Sequence, residues 1–318
     1  MKLKDFYEKA VQVGISNDPR GKRSVFSSLK RAKKKYENLK EKEKDLFDRE
    51  SLKNPYSDTR ILFGKGSENI RTVIMGIDME VGEVLLADAL NAKGQKIDLI
   101  LSHHPEGSAI ATLYDVMAMQ SDILSKYGVP INIAENLMDN RMREVERRLM
   151  PLNHARAVDA ARLIGIPFMC IHTPADNMVV SHLQALFDSK KPDTLGDIID
   201  LLHNIPEYKE AAKNGAGPKV LLGSNERSAG KIFVDMTGGT EGAKDIFSSL
   251  TTSGINTIVC MHLSEEHRKE AEKQKINVII AGHISSDNLG LNLLLDRVTG
   301  KSKIKIIECS GFRRKKRN

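Results

Sequence analysis

The stretch Asp98-Leu99-Ile100-Leu101-Ser102-His103-His104-Pro105-Glu106-Gly107 decides how the chain is read. The apolar run from Ile97 to Leu101 is short and rich in branched side chains, the pattern of a buried strand. It stops at two adjacent histidines. Pro105 cannot donate to a ladder, and it pushes His104 toward an extended conformation. Both imidazoles therefore belong at the carboxyl end of a strand, where open α/β sheets bind ligands. Alone, a His-His pair is more often two capping or surface histidines than a pair of ligands, so the reading depends on matching groups elsewhere.

Two further stretches repeat the setting. Phe168-Met169-Cys170-Ile171 is an apolar strand followed by His172-Thr173-Pro174-Ala175-Asp176-Asn177. Val278 to Ala281 is another, followed by Gly282-His283-Ile284-Ser285-Ser286-Asp287. His283 and Asp287 are four apart and meet on one face if a helix starts near Ser285. Asp78, at the end of the strand Thr72 to Ile77, either lies beside the histidines or caps the next helix. The turn Thr237-Gly238-Gly239-Thr240-Glu241-Gly242 either offers N–H groups to an anion or is only a tight strand-to-helix turn.

Between these points apolar runs alternate with amphipathic stretches, which gives an α/β class. The spacing predicts helices over Val81 to Ala92, 178–204 (ended by Pro206) and Ala243 to Leu250. It predicts strands over Val220 to Leu222, Lys231 to Val234, Thr257 to Met261 and Lys303 to Glu308. Residues 1–70 read as a helical arm, with the Lys- and Glu-rich stretch from Ser27 to Leu52 lying against the body or a neighbouring subunit. The first α/β half spans 71–210 and carries a helical insertion at about 108–165. Within the insertion Leu113 to Tyr127, Arg141 to Leu149 and His154 to Leu163 read as helices and Pro130 to Ile133 as extended. Arg141, Arg143, Arg147 and Arg148 read as a solvated face. The second half spans 211–312, and 313–318 is a basic tail.

The chain has 318 residues, 40% of them hydrophobic, enough for two domains or one with an insertion. Its net charge of +7 sits at the ends: residues 1–70 carry +7, the run Arg313 to Arg317 adds +5, and the body between has −5. A tail of this kind reads as solvated, with contact to an anionic surface as the alternative. An acidic body with 5% aromatic residues and no Trp is a poor nucleic-acid platform. Cys170, Cys260 and Cys309 are widely spaced and read as reduced core thiols of a cytoplasmic protein. No run has transmembrane length, and the opening Met1-Lys2-Leu3-Lys4-Asp5-Phe6 lacks the apolar core of a signal peptide, so no membrane role is expected.

Taken in order, SHHP, HTxxD and GHxxxD resemble the Nif-three-like family of dinuclear metal-centre proteins, often labelled type-two GTP cyclohydrolase I. The resemblance covers 71–107, 166–187 and about 230–308. It implies two similar α/β halves with mixed sheets flanked by helices, assembled as a ring of six. It also implies two divalent ions held by His103, His104, Asp176, His283 and Asp287, with His172 a flanking residue. The family usually has glutamate where this chain has Asp287. The shorter aspartate implies a second ion held more weakly, its shell completed by water or Glu106. Glu106, where the family is usually apolar, is an added acid/base group or an exposed loop residue. Three imidazoles and two carboxylates suit Zn, Fe, Mn or Co rather than Ca. Two such ions can acidify a shared water, which is hydrolytic chemistry on a phosphate ester, cyclic amide or nucleotide-like small molecule. The alternative is a non-catalytic metal-binding regulatory or chaperone-like ring. The cyclohydrolase label is inherited with the fold, and no residue here specifies a guanine pocket.

Overall fold

A computed structural model describes residues 1–300 and 302–317. Along the chain, helices α1 (Leu3–Ser16), α2 (Lys22–Glu37) and α3 (Glu41–Lys44) and a 3-10 turn at Arg49–Leu52 precede strand β1 (Arg60–Phe63). Then come β2 (Thr72–Gly76), α4 (Val81–Ala92) and β3 (Leu99–Ser102). Helices α5 (Gly107–Ala111), α6 (Leu113–Val116), α7 (Met119–Lys126), α8 (Ile131–Leu149) and α9 (Arg156–Ile164) separate β3 from β4 (Phe168–Cys170). Three helices follow: α10 (Thr173–Lys190), α11 (Leu195–His203) and α12 (Pro206–Lys213). The second half runs β5 (Lys219–Leu222), β6 (Ile232–Asp235), α13 (Ile246–Thr252), β7 (Thr257–Cys260), α14 (Glu265–Lys273), β8 (Asn277–Ile280) and α15 (His283–Thr299). Strand β9 (Lys305–Glu308) closes the chain.

The two halves repeat one topology. The first sheet has the order β1-β4-β3-β2-β9 and the second β5-β8-β7-β6. In each, three consecutive parallel strands end on an antiparallel edge strand, with one register irregularity in that pairing, and the first sheet gains β9 as a fourth parallel strand beside β2. The parallel strands β2, β3 and β7 are buried along their whole length, as expected where helices cover both faces. The third parallel strand of each half turns straight into a long helix, α10 or α15. These two helices pack on each other at Gly290. A Cβ there would lie 2.5 Å from the Ala175 carbonyl oxygen and 2.8 Å from Val179 Cγ2. The repeat is also written in residues, since His172-Thr173-Pro174-Ala175-Asp176-Asn177 and His283-Ile284-Ser285-Ser286-Asp287-Asn288 open the paired helices.

Several expectations need correction. The stretch 1–70 is not an accessory arm. Leu3, Phe6, Ala10 and Val11 of α1 are core residues, and β1 is a strand of the first sheet, so the first half begins before residue 71. Nor does the second half end at 312 as a unit, because β9 pairs with β2 of the first sheet. Pro130–Ile133 is the start of α8 rather than an extended piece, and Pro206 opens α12 instead of ending a helix, the position where its missing N–H is harmless. The helix expected from Ala243 begins at Ile246. Arg141 is not solvated: its Nε donates to the Glu241 carbonyl at 3.0 Å. Next to it, Gln120 Nε2 donates to the Gly238 and Thr240 carbonyls at 2.7 and 2.8 Å, so the insertion grips the glycine turn of the other half. The basic tail is docked. Arg314 pairs with Asp296 of α15, and Arg317 pairs with the buried Glu207 of α12. Among the described residues no helix is long and apolar enough to cross a membrane.

Candidate metal centre

The His-His pair lies where the strand reading put it. After β3 the His103 and His104 amides donate to the Gly76 and Ile77 carbonyls at 3.0 and 2.9 Å. Ser102 Oγ donates to the His104 carbonyl at 2.8 Å. The turn is thus tied to the end of β2, and both side chains face the gap between the halves.

Three imidazoles are clamped at Nδ1. That of His103 lies 3.0 Å from the Ile171 carbonyl, an acceptor only, so Nδ1 carries the hydrogen. His104 Nδ1 is 2.6 Å from Asp78 Oδ1, which gives Asp78 its place beside the histidines. His172 Nδ1 is 2.9 Å from the buried Asp58 Oδ2, which also accepts from Thr173 Oγ1 at 2.5 Å. All three turn Nε2 inward. A ring held at one nitrogen, with the other left free, is the usual state of a metal-ligating histidine.

Facing them are the carboxylates of Asp176 and Asp287, 4% and 1% exposed. His103 Nε2 is 3.5 Å from Asp176 Oδ1 and 3.4 Å from Asp287 Oδ1. The other oxygen of Asp287 lies 3.5 Å from His104 Nε2 and 3.7 Å from His283 Nε2. His172 Nε2 is 3.7 Å from Asp176 Oδ2. These separations are long for hydrogen bonds. They match two donors on one ion, since bonds of about 2.0–2.2 Å in a tetrahedral shell place donors about 3.3–3.6 Å apart. His103 Nε2, Asp176 Oδ1 and both Asp287 oxygens are buried without a hydrogen-bond partner. Buried carboxylates left so are costly unless a cation joins them.

Three overlapping donor groups result: His103, His104 and His172; His104, His283 and Asp287; and His103, Asp176 and Asp287. The residues singled out in the sequence, His103, His104, Asp176, His283 and Asp287, therefore come together. His172 joins them as a sixth donor rather than a flanking residue. Asp287 does not reach short, because its two oxygens face two different donor groups. Glu106 belongs to no donor group and lies on a cavity wall beside His104.

The charges reinforce one another. Burial alone would lower the His103 pKa, but the Asp287 and Asp176 carboxylates outweigh it and hold the imidazole well above its usual range. The Asp287 carboxyl, despite burial, is held well below the carboxylate range by His103, His104 and His283. Burial, with neighbouring Glu80 and Asp78, pushes Glu106 up to about 7, against the pull of Arg156.

The fold has a solved counterpart. A NIF3 superfamily protein from Sphaerobacter thermophilus superposes with a TM-score of 0.70 at 27% identity, over 80% of this chain and 91% of that one. The chain belongs to the NIF3 superfamily. Reduced HcgD from Methanocaldococcus jannaschii shares the fold at a TM-score of 0.51 and 12% identity, over 84% of this chain and 94% of that one. No protein-family model and no curated protein matches the sequence.

In this NIF3-superfamily protein a cavity of 420 Å3 opens beside the cluster. Its walls carry His104, Glu106, Asp235, Glu241 and His283, together with the apolar Leu113 and Phe247. His262, at the end of β7, also reaches it, its ring 4.9 Å from that of His283. A strand ending in histidine was visible in the sequence, yet only the repeated topology sets His262 in the place that His104 holds in the first half.

Proposed function

We propose that the cluster holds two divalent metal ions, drawn from Zn, Fe, Mn and Co, and that the protein is a metal-dependent hydrolase of a small, nucleotide-like or phosphate- or cyclic-amide-bearing substrate. The observation that carries this is the Asp287 carboxylate: buried, without a hydrogen-bond partner at either oxygen, and set among three imidazole nitrogens. When bound, such ions supply Lewis acidity and bring the pKa of water near neutral.

The chain's own residues do the rest. His103, His104, Asp176, His283 and Asp287 are the proposed ligands, with His172 available beside them. The Ile171 carbonyl, Asp78 and Asp58 fix the three clamped rings in one orientation. Glu106 stands on the wall next to His104, placed to give or take a proton at a group bound in the cavity. That open cavity favours turnover over a sealed metal store. All three cysteines are free thiols, in keeping with a reducing, cytoplasmic setting. On the resemblance of its motifs, we also propose a closed homo-oligomeric ring, a hexamer.

The test is elemental analysis of the purified protein, followed by a panel of phosphate esters, cyclic amides and nucleotides with each metal reloaded. Two metal equivalents per chain and turnover with at least one metal are expected. Bound metal with no turnover across the panel would leave a non-catalytic metal-binding protein.

A further inference from the structure

A second cavity, of 600 Å3, opens on the other side of His262 and His283. It is lined by Lys219 at the start of β5 and by Arg313 and Lys315 of the C-terminal segment. The segment is held there by alternate contacts. The Arg313 amide donates to Asn288 Oδ1 at 2.6 Å and the Lys315 amide to Asn292 Oδ1 at 2.9 Å. Arg314 and Arg317 turn the other way, to Asp296 and Glu207. Arg314 and Arg317 therefore anchor the tail, while Arg313 and Lys315 line the cavity. Among the described residues the side chains of Lys219, Arg313 and Lys315 form no ion pair. Of the two carboxylates lining the cavity, Glu207 is taken by Arg317, and only Glu210 is unpaired.

Three unpaired cations thus line a cavity that His283 also lines, itself 3.7 Å from Asp287 Oδ2 of the cluster. The wall also includes Gly282 and Ser285 at the start of the 17-residue helix α15, where N–H groups lack intrahelical acceptors and the dipole favours an anion. Neutralised cations would need no ligand, but cations left unpaired around a concave space attract an anion from solution.

We infer that this cavity binds a phosphate group of the molecule acted on at the cluster. The inference rests on the proposed function and deepens it: the substrate is a phosphorylated small molecule. Its phosphate lies on Lys219, Arg313 and Lys315, and its reacting bond lies on the far side of His283. A guanidinium fork and two ammonium groups suit a dianionic phosphate better than a single carboxylate.

The test titrates the full chain, metal retained, with inorganic phosphate by calorimetry, and with acetate in parallel. Lys219→Gln/Arg313→Gln/Lys315→Gln should lower phosphate affinity at least about tenfold, because each charged contact removed is a strong one. Bound metal, by elemental analysis, should stay unchanged. Lys219→Gln alone, at an exposed position on the edge strand β5, should show a smaller loss and covers the case of a triple variant that folds poorly. Phosphate affinity unchanged in both variants would overturn the inference, as would acetate binding as tightly as phosphate. A protein that binds phosphate through these cations yet turns over no substrate with any metal would fail the hydrolase reading and leave the cavity's role standing. Turnover indifferent to the cavity variants would do the reverse.

Discussion

At the scale of single residues, Asp287 concentrates the chemistry. Oδ1 faces His103 and Oδ2 faces His104 and His283, so one side chain serves two donor groups. Asp287→Ala is therefore expected to remove metal from both groups rather than one. Elemental analysis after dialysis should show a loss of about one equivalent or more per chain, given how few donors each group would retain. A stoichiometry equal to wild type would remove Asp287 from the ligand set. Asp58 shows the same economy one layer out. Its carboxylate holds both the His172 ring and the Thr173 hydroxyl, and these bonds, with Arg60 nearby, keep it ionised although it is fully buried.

At the scale of elements, the site depends on how closely α10 and α15 approach. Asp176 sits in the first turn of α10 and Asp287 just beyond the first turn of α15, and Gly290 lets the two backbones meet. Gly290→Ala would put a methyl 2.5 Å from the carbonyl of Ala175, the neighbour of Asp176. The helices must separate, and the expected cost is about 1–3 kcal/mol, typical of an overpacked core. The shift should appear in the denaturant midpoint together with a fall in bound metal. Gly82→Ala is the control: it lies in α4 with nothing within 4 Å of the new methyl, so stability should hold or rise by about 0.5–1 kcal/mol. If both variants behaved alike, the close crossing would not be what positions the carboxylates.

At the scale of the whole molecule, the metal-ligand candidates are divided between two halves that neither half completes. The first supplies His103, His104, His172 and Asp176, and the second His283 and Asp287. The insertion and the C-terminal segment bind across both, through Gln120 and Arg141 on one side and Arg314 and Arg317 on the other. The outer surface keeps large apolar groups in the open: Leu85 and Leu86 of α4 at 55% and 44% exposure and Leu163 of α9 at 76%. A ring assembly would have such groups to cover. Light scattering at micromolar concentration should return a multiple of the 35.4 kDa chain, and a monomer mass would refute the ring.

The local part of the design was legible in the sequence. A short branched run ending in His-His-Pro is a strand end whatever surrounds it, and a histidine four residues before an aspartate shares a helix face. The α/β class and the placing of the histidines at strand ends follow from such short-range rules, while the set of five donors is what the resemblance of the three motifs implies. What escaped was settled by partners distant in sequence. His172 faces the cluster because Asp58, 114 residues away, holds its ring at Nδ1. The tail is ordered because Glu207, 110 residues from Arg317, is buried and needs a cation. Strand β1 and helix α1 read as an arm in the sequence because a four-residue strand and a Lys-rich flank carry little periodic signal, and only pairing with β4 and packing on α10 and α15 give them a place. Local periodicity depends on backbone geometry and is written in neighbouring residues. Which charges find each other is decided by burial, and burial exists only once the chain has closed on itself.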